Sequence, residues 1–427
     1  MSQPTQETVR AEARAWLEAN WDPDLDLKTW RAKLVESGWG MPAWPKEWHG
    51  KGLSAALAAV VDKEFRALGA IGVARSGPRM LAAATLLEHG SDFLKEKFLR
   101  RILTGEDHWC QLFSEPGSGS DLAGAMTRAD FKDGQWIVNG QKVWTTSAHH
   151  AQYGFLLART DWNVPKHQGL SYFIIEMEQP GVLVQPLRQM NGHASFNQVF
   201  FTDAVVPTEY LVANLGEGWK VATTTLMHER RAAAEGMASG PQSAKRVGKA
   251  YDQERAEFAI TMEPYTWYPQ RAGRPDLVIE RAQATGRNTD PVVRQEIAKL
   301  LTLHRAAHWT QRRARAAQQL GRPPGPEGSL GKLVGSHVAR ASANVHTLIN
   351  AADAMLTGDD SPMNGIIAEI LVSTPAASIA GRHRRDSAQH HCRTRAGHAQ
   401  GTAHRHGSAV QGRAEKYGAA TRAMTGA

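Results

Sequence analysis

The chain has 427 residues, 42% of them apolar, with 50 Lys and Arg against 42 Asp and Glu and only two cysteines. That composition excludes fibres, coiled coils and disulfide scaffolds and fits two or three globular domains. The formal charge of +8 sits almost wholly in residues 382–427, where eight Arg and one Lys face only Asp386 and Glu415, so the rest of the chain gives no electrostatic ground for a nucleic-acid partner.

The longest apolar stretches, 54–61 and 365–380, are too short or are interrupted by Glu369, and neither supplies the roughly 18 uninterrupted apolar residues of a membrane span. Residues 1–20 are polar and lack the apolar centre of a secretory signal, so the expected location is cytoplasmic. Cys110 and Cys392 lie far apart in dissimilar settings, and no disulfide is expected.

In chain order, residues 6–105 carry apolar positions at helical spacing, among them Leu17, Trp30, Leu34, Leu57, Phe65, Leu86, Phe98 and Leu103, broken at Pro23, around Gly38 to Gly50 and at Gly77-Pro78. This predicts a helical N-terminal domain. After Trp109 the period changes. Short strands are predicted at 129–132, 135–138 and 141–144, separated by Asp133-Gly134 and Asn139-Gly140, dipeptides that supply the positive φ of type I′ hairpin turns. Further strands are predicted at 153–159, 171–177, 182–187 and 198–202, giving a β domain of about a hundred residues. Helical spacing returns at 218–236, 291–320, 330–356 and 364–374, which predicts a bundle. Between them, 241–275 reads as an aromatic loop or insertion around Tyr265-Thr266-Trp267-Tyr268-Pro269.

Two segments carry the chemistry. Glu115-Pro116-Gly117-Ser118-Gly119-Ser120-Asp121 is a Gly/Ser loop whose amides and hydroxyls can hold a phosphate or an electron-rich ring; alone, it is better read as a tight surface turn. The segment Val143-Trp144-Thr145-Thr146-Ser147 presents a large ring and hydroxyls on a strand of the same domain. Trp144 as a core tryptophan remains a second reading.

Residues 110–121, 135–147 and 153–161, in this order and spacing, resemble the middle domain of the acyl-CoA dehydrogenases, flavoenzymes that desaturate acyl thioesters, and the resemblance extends over about 6–381. It implies an α+β fold: N-terminal α-helical domain (1–106), central β-barrel or sandwich domain (107–212), C-terminal helical bundle (213–381), then an aberrant basic tail (382–427). The implied cofactor is FAD, bound non-covalently. Gln111, Leu112, Phe113, Ser114, Gly119 and Ser120 would line the flavin, Ser120 also meeting the thioester's pantetheine-pyrophosphate. Trp144 would pack by the isoalloxazine with Thr145 beside it, and Thr146 would hydrogen-bond N(5).

The implied reaction removes the α-proton of an acyl-CoA with a carboxylate base while N(5) takes a hydride from the β-carbon. Burial raises such a carboxylate's pKa toward the working range, and no metal is needed. The family places the base in one of two positions, and here the Glu-Arg pair on the first long helix after the β domain, Glu229-Arg230, fills one of them. Glu229 is therefore the expected base and Arg230 a contact to the thioester ligand. The helix strip about Glu229, formed by Thr225, Ala232, Ala233 and Gly236, is small.

The resemblance also has departures. Where the family has Arg-x-x-Phe-Gly, whose Arg reaches a neighbouring subunit's flavin, this chain has Gly286-Arg287-Asn288-Thr289-Asp290, in which only Arg287 fits. The family's Gln-x-x-Gly-Gly segment is replaced by Ala-Asp-Ala-Met-Leu-Thr-Gly-Asp-Asp at 352–360. Such divergence is similar to that of actinobacterial members built from two unlike subunits that act on steroid side chains. The expected partners are an acyl-CoA substrate, an electron-transfer flavoprotein as acceptor, and a second, like or unlike, acyl-CoA dehydrogenase-type subunit. A non-catalytic scaffold subunit and an acyl-CoA oxidase are the alternatives.

The tail reads as a shifted frame. The family's last element is typically GTDEIQRNIIAERVLG; one coding of that peptide, read with a single extra C in front, gives RHRRDSAQHHCRTRAG, which is residues 382–397. A metal cluster of the tail's His and Cys or a nucleic-acid arm would need a fold that this stretch has no apolar periodicity to build, and disorder is expected.

Overall fold

The computed structural model describes residues 4–75, 77–235, 245–320 and 327–380. Residues 381–427, which include the tail read from sequence as a shifted frame, and Gly236 lie outside the described residues. The described residues divide into two compact units, one built from residues up to Leu187 together with Ser195–Pro264, the other from Arg188–Ala194 and 265–380.

The first unit opens with five helices, α1 (Gln6–Asn20), α2 (Leu27–Ser37), α3 (Ala55–Leu68), α4 (Gly77–His89) and α5 (Asp92–Thr104). Their starts are set locally: the side chains of Thr5, Asp26, Ser54 and Ser91 accept backbone N–H bonds at the N-caps of α1, α2, α3 and α5, satisfying donors the helix cannot. Gly38, Gly69 and Gly105 end α2, α3 and α5 in the left-handed conformation. Leu17, Trp30, Leu34, Phe65, Leu86, Phe98 and Leu103 are buried in one core, as their spacing predicts.

The sheet follows: β1 (Trp109–Leu112), β2 (Arg128–Lys132), β3 (Gln135–Thr146), β4 (Tyr153–Arg159), β5 (Leu170–Glu176), β6 (Val182–Leu187), β7 (Phe196–Pro207) and β8 (Leu211–Val212). These form one eight-stranded sheet in the order β6-β7-β3-β2-β4-β5-β8, with β1 parallel to β4. Asp133-Gly134 forms the predicted hairpin, both residues at positive φ (50° and 80°).

Asn139-Gly140 does not form a second hairpin. The two strands predicted at 135–138 and 141–144 are one strand, β3, and the dipeptide sits at an irregularity where β7 carries an extra residue. The Asn139 amide exchanges two 2.9 Å bonds with Asp203 on β7 instead of turning its own chain. Gly140 is needed because a Cβ there would stand 2.7 Å from Thr127 Cα.

Two further helices complete this unit, α6 (Gly218–Glu235) and α7 (Lys249–Met262). α7 lies within the stretch read from sequence as a loop. Its apolar periodicity is weak because it is anchored by charge: Glu257 receives Arg31 of α2 at 2.6 Å and the fully buried Arg79 of α4.

The second unit holds α8 (Tyr268–Arg271), α9 (Val278–Ala284), α10 (Pro291–Gln319), α11 (Glu327–Asn350) and α12 (Ile366–Ala377). Its cores are small, one around Val278, Val293, Leu300, Val345 and Ile349 and another around Ala354, Ile367 and Ile370. Among the described residues no helix is long and apolar enough to cross a membrane.

Candidate active site

The two chemical motifs lie against each other, and a buried charge pair holds them there. Lys142, on β3 one residue before Val143, is fully buried. Its Nζ donates to Glu115 Oε1 (2.7 Å) and to the carbonyls of Phe113 (3.1 Å) and Leu157 (2.7 Å). Glu115 in turn accepts the backbone N–H of Met126 (2.6 Å) and Thr127 (2.9 Å). Burial alone would push the Glu115 carboxyl up; Lys142 and the amides outweigh it and hold the group below its ordinary range. Both charges are thereby matched by hydrogen bonds, the condition for a buried pair to be tolerated.

The loop is closed on itself by reciprocal backbone bonds between Glu115 and Ser118 (2.9 and 3.0 Å), and Val143 N–H donates to Ser114 O at 2.8 Å. Beneath it the buried Arg159 donates to the carbonyls of Ala123, Ala125 and Lys166, and Lys166 Nζ holds Asp121 at 2.6 Å. None of these supports was singled out from sequence. The signal available was a lysine and an arginine inside strands otherwise rich in apolar residues.

On the face above, Gly119 and Ser120 are exposed, and a Cβ at Gly119 would meet nothing within 4 Å. Ser114 is half-buried, whereas Leu112 and Phe113 turn into the core. Phe113 packs edge-on to Phe155 and Tyr172. Leu112 and Phe113 can therefore offer a ligand only backbone, and the Phe113 carbonyl is already taken by Lys142.

β3 carries an extra residue between Lys142 and Thr145 relative to β7, and this bulge re-aims the side chains that follow. Trp144 has φ 63° and is 55% exposed, which overturns the reading of it as a core tryptophan. Its ring is supported from one side, edge-on to Phe196 at 5.7 Å. A bulky residue at positive φ is strained, and such strain persists where the surroundings impose it. Thr145 is buried with its hydroxyl unpartnered among the described residues, an unusual state for a buried polar atom. Thr146 is half-buried beside it.

The third component is α6. It approaches β5 closely: a Cβ at Gly218 would lie 2.5 Å from the Ser171 carbonyl carbon. One turn before Glu229, the buried Thr225 hydroxyl donates to Val221 O (3.1 Å) and meets Thr85 Oγ1 of α4 (2.9 Å) and the Tyr172 hydroxyl of β5 (3.1 Å). With Thr225 donating to the carbonyl, the other two hydroxyls donate to it, and every proton in the cluster is used. The cluster fixes α6 between α4 and β5 with no hydroxyl proton left over for a ligand.

Glu229 itself is half-buried. Its Oε2 accepts a hydrogen bond from Gln111 Nε2 of β1 at 3.3 Å, at the long end of the range. Burial pushes its carboxyl above the ordinary glutamate value; the Gln111 bond and the Arg230 charge oppose this and are outweighed. Arg230 is exposed. Of the small strip, Thr225 is buried and Ala232 exposed. Arg287 belongs to the second unit, where it is exposed and paired with Asp290 at 3.1 Å.

A Gly/Ser loop, a bulged strand presenting Trp144 and a helix-borne carboxylate of raised pKa are thus gathered in one unit. Residues 3–106 match the acyl-CoA dehydrogenase N-terminal domain and residues 110–204 the acyl-CoA dehydrogenase middle domain. These two segments are the N-terminal and middle domains of the acyl-CoA dehydrogenase family.

Among relatives of this family, the chain is 45% identical over 211 residues to the acyl-CoA dehydrogenase FadE34 of Mycobacterium tuberculosis, covering 48% of this chain and 29% of that protein. It is 37% identical over 241 residues to the acyl-CoA dehydrogenase IpdE1 of the same organism, covering 52% and 63%. The match thus spans less than two thirds of the length of either relative. The fold is similar to that in the crystal structure of the ChsE4-ChsE5 complex from Mycobacterium tuberculosis, with a TM-score of 0.61 and 22% identity over 94% of this chain and 99% of that one. The α+β acyl-CoA dehydrogenase fold expected from the motifs, helical at both ends around a central sheet, is the fold found.

Proposed function

We propose that this chain is an acyl-CoA dehydrogenase subunit that binds FAD and converts an acyl-CoA thioester to its trans-2-enoyl-CoA, with Glu229 as the base. The observation that carries this reading is the Glu229 carboxylate: half-buried, raised above its ordinary value, and held by a residue of the strand that leads into the Gly/Ser loop. A carboxylate so placed accepts a proton more readily than a solvated one, which suits removal of a weakly acidic α-proton.

The residues present fit FAD. The unpartnered, buried Thr145 hydroxyl, the exposed and strained Trp144 and the open face at Gly119 together offer a polar contact, an aromatic wall and room for a flat heteroaromatic. Thr145, Thr146, Ser114 and Ser120 would hold the group with Trp144 against it. FAD, when bound, supplies the acceptor for the hydride leaving the β-carbon. The chain's own work is to orient the thioester, exclude water and take the α-proton on a Glu229 carboxylate oxygen, with Ser120 and the exposed Arg230 as contacts to the thioester ligand.

The same reading takes residues 1–106, 107–212 and 213–381 as the three family domains and places the protein in the cytoplasm. It takes an electron-transfer flavoprotein as acceptor. It also assigns Arg287 to a flavin shared with a second acyl-CoA dehydrogenase-type subunit; the name of the ChsE4-ChsE5 complex, a pair of proteins, supports an unlike one.

The test is the flavin absorbance of the purified protein, alone and co-expressed with such a subunit, during anaerobic addition of fatty-acyl and steroid side-chain CoA thioesters. Bleaching is expected with at least one of the two classes, and Glu229→Gln should retain flavin and ligand without bleaching. Normal bleaching by Glu229→Gln removes Glu229 from the mechanism. A wild-type protein colourless in both preparations removes the flavoenzyme reading. Oxygen consumption without added acceptor would place the chain with the oxidases.

A further inference from the structure

Glu229 has one hydrogen-bond partner among the described residues, the Gln111 side chain. Gln111 stands on β1, and β1 is fixed independently of α6: it pairs in parallel with β4, with Gln111 opposite Phe155. Its neighbours Cys110 and Leu112 are fully buried, so the alternation of the strand aims Gln111 to the other side. α6 is fixed by a separate device, the closed hydroxyl cluster of Thr85, Thr225 and Tyr172. Two rigid elements therefore present an amide and a carboxylate to each other, and neither side chain needs to search for its partner.

We propose that Gln111, read from the family pattern only as a flavin-lining residue, is the positioning residue for Glu229: its amide selects which way the carboxylate faces and steadies its charged form. This rests on Glu229 being the base. An amide suits the task better than a cation. A Lys or Arg at this distance would hold the carboxylate as a fixed ion pair and weaken it as a base, whereas a neutral donor opposes desolvation only in part, which is the balance found at Glu229. Among the described residues, the other titratable or charged groups on the packed elements are Lys220, His228, Arg230 and Arg231 on α6, Arg79, Glu88 and His89 on α4, Tyr153 and Arg159 on β4, Tyr172 and Glu176 on β5 and the buried Cys110 on β1. His228 pairs with Glu88 at 3.1 Å, His89 with Thr224 at 2.8 Å and Tyr172 with Thr225, and Arg230 is the charge that acts on Glu229.

The experiment uses the full chain as purified. Gln111→Met keeps the length of the side chain and removes the donor; Gln111→Glu keeps the shape and substitutes a like charge. The protonated-carboxyl band of Glu229 is followed against pH by infrared difference spectroscopy, with Glu229→Gln identifying the band, a readout that needs no turnover. In Gln111→Met the titration midpoint should rise by about one pH unit, the size expected on losing a hydrogen bond to a charged group. In Gln111→Glu it should rise further. The acid limb of kcat should move with the midpoint, and KM should change less than about twofold, because an orienting contact to the base is not a contact to substrate.

An unmoved midpoint in either folded variant overturns the proposal. So does a KM effect larger than the kcat effect with the limb unmoved, which would make Gln111 a substrate contact. If Glu229→Gln turns over normally while the band shifts as stated, the interaction stands and the assignment of Glu229 as base falls. The two failures are therefore distinguishable.

Discussion

Lys142 Nζ stands 2.7 Å from Glu115 Oε1, both side chains withdrawn from solvent beneath the loop whose exposed face carries Gly119 and Ser120. The pair fixes one end of the loop to β3 and, with the Val143 bond to Ser114, sets the spacing between the loop and Trp144.

Lys142→Met should accordingly cost about 3–5 kcal/mol, because it leaves a buried carboxylate without its counter-charge. Adding Glu115→Gln should recover part of that loss, since the double variant buries no charge. Urea unfolding of Lys142→Met, Glu115→Gln and the double variant checks both numbers, and a double-variant loss equal to the sum of the two single losses would show that the pair is not coupled.

The hydroxyl cluster predicts an asymmetry. Thr225→Val removes the shared acceptor and leaves the buried hydroxyls of Thr85 and Tyr172 without one, at about 1–3 kcal/mol. Tyr172→Phe removes a donor and orphans nothing, so its cost should stay near 1 kcal/mol or below. Thermal unfolding of the two variants distinguishes them, and a larger loss in Tyr172→Phe would contradict donation from Tyr172 to Thr225.

Trp144 carries a conformational cost for a small packing return, being 55% exposed at φ 63° with Phe196 edge-on to its ring. Trp144→Gly should leave stability unchanged or raise it by up to about 1 kcal/mol, relief of left-handed strain being set against the entropy of a new glycine. Flavin retention should fall in the same variant if the ring is the wall of a flavin site. Loss of stability with undiminished flavin would assign Trp144 to packing.

Glu229 gives a stability dependence with a definite sign. Its carboxyl is raised in the folded state, chiefly by burial. Between the ordinary glutamate value and the raised one the folded protein holds more protons than the unfolded chain, so stability falls as pH rises through that window. Glu229→Gln, neutral at every pH, should match wild type in acid and become the more stable of the two above the window. Unfolding midpoints of both proteins from pH 4 to pH 8 check this; parallel curves would mean that the carboxylate is solvated.

His108 behaves in the opposite sense. Burial, with the Arg79 charge beside it, lowers its pKa. The unfolded chain therefore takes up a proton that the folded one refuses, and stability falls as pH drops below the ordinary histidine value. A His108→Gln variant should lose that acid sensitivity, and an unchanged profile would place the acid-sensitive group elsewhere.

The sequence by itself determined whatever depends on neighbours a few positions apart. N-cap residues such as Ser54 and Ser91, the left-handed Gly69 and Gly105, the Asp133-Gly134 turn and the apolar spacing of the N-terminal helices each act within a turn of chain, so their structure is written locally. The order and spacing of the loop and the Trp144-Thr145-Thr146 segment sufficed for the family. Tertiary structure decided the rest, because the deciding partner lies far along the chain. Asn139-Gly140 has the chemistry of a hairpin, yet Asp203 on another strand claims the Asn139 amide and makes the site a bulge. α7 was hidden because its anchor is Glu257 between Arg31 and Arg79 rather than an apolar stripe. Gln111 reads from sequence as one more flavin-lining residue; the sheet and the hydroxyl-locked α6 set it 3.3 Å from Glu229. The raised pKa of that carboxylate comes from burial, and burial is a property of the packed chain.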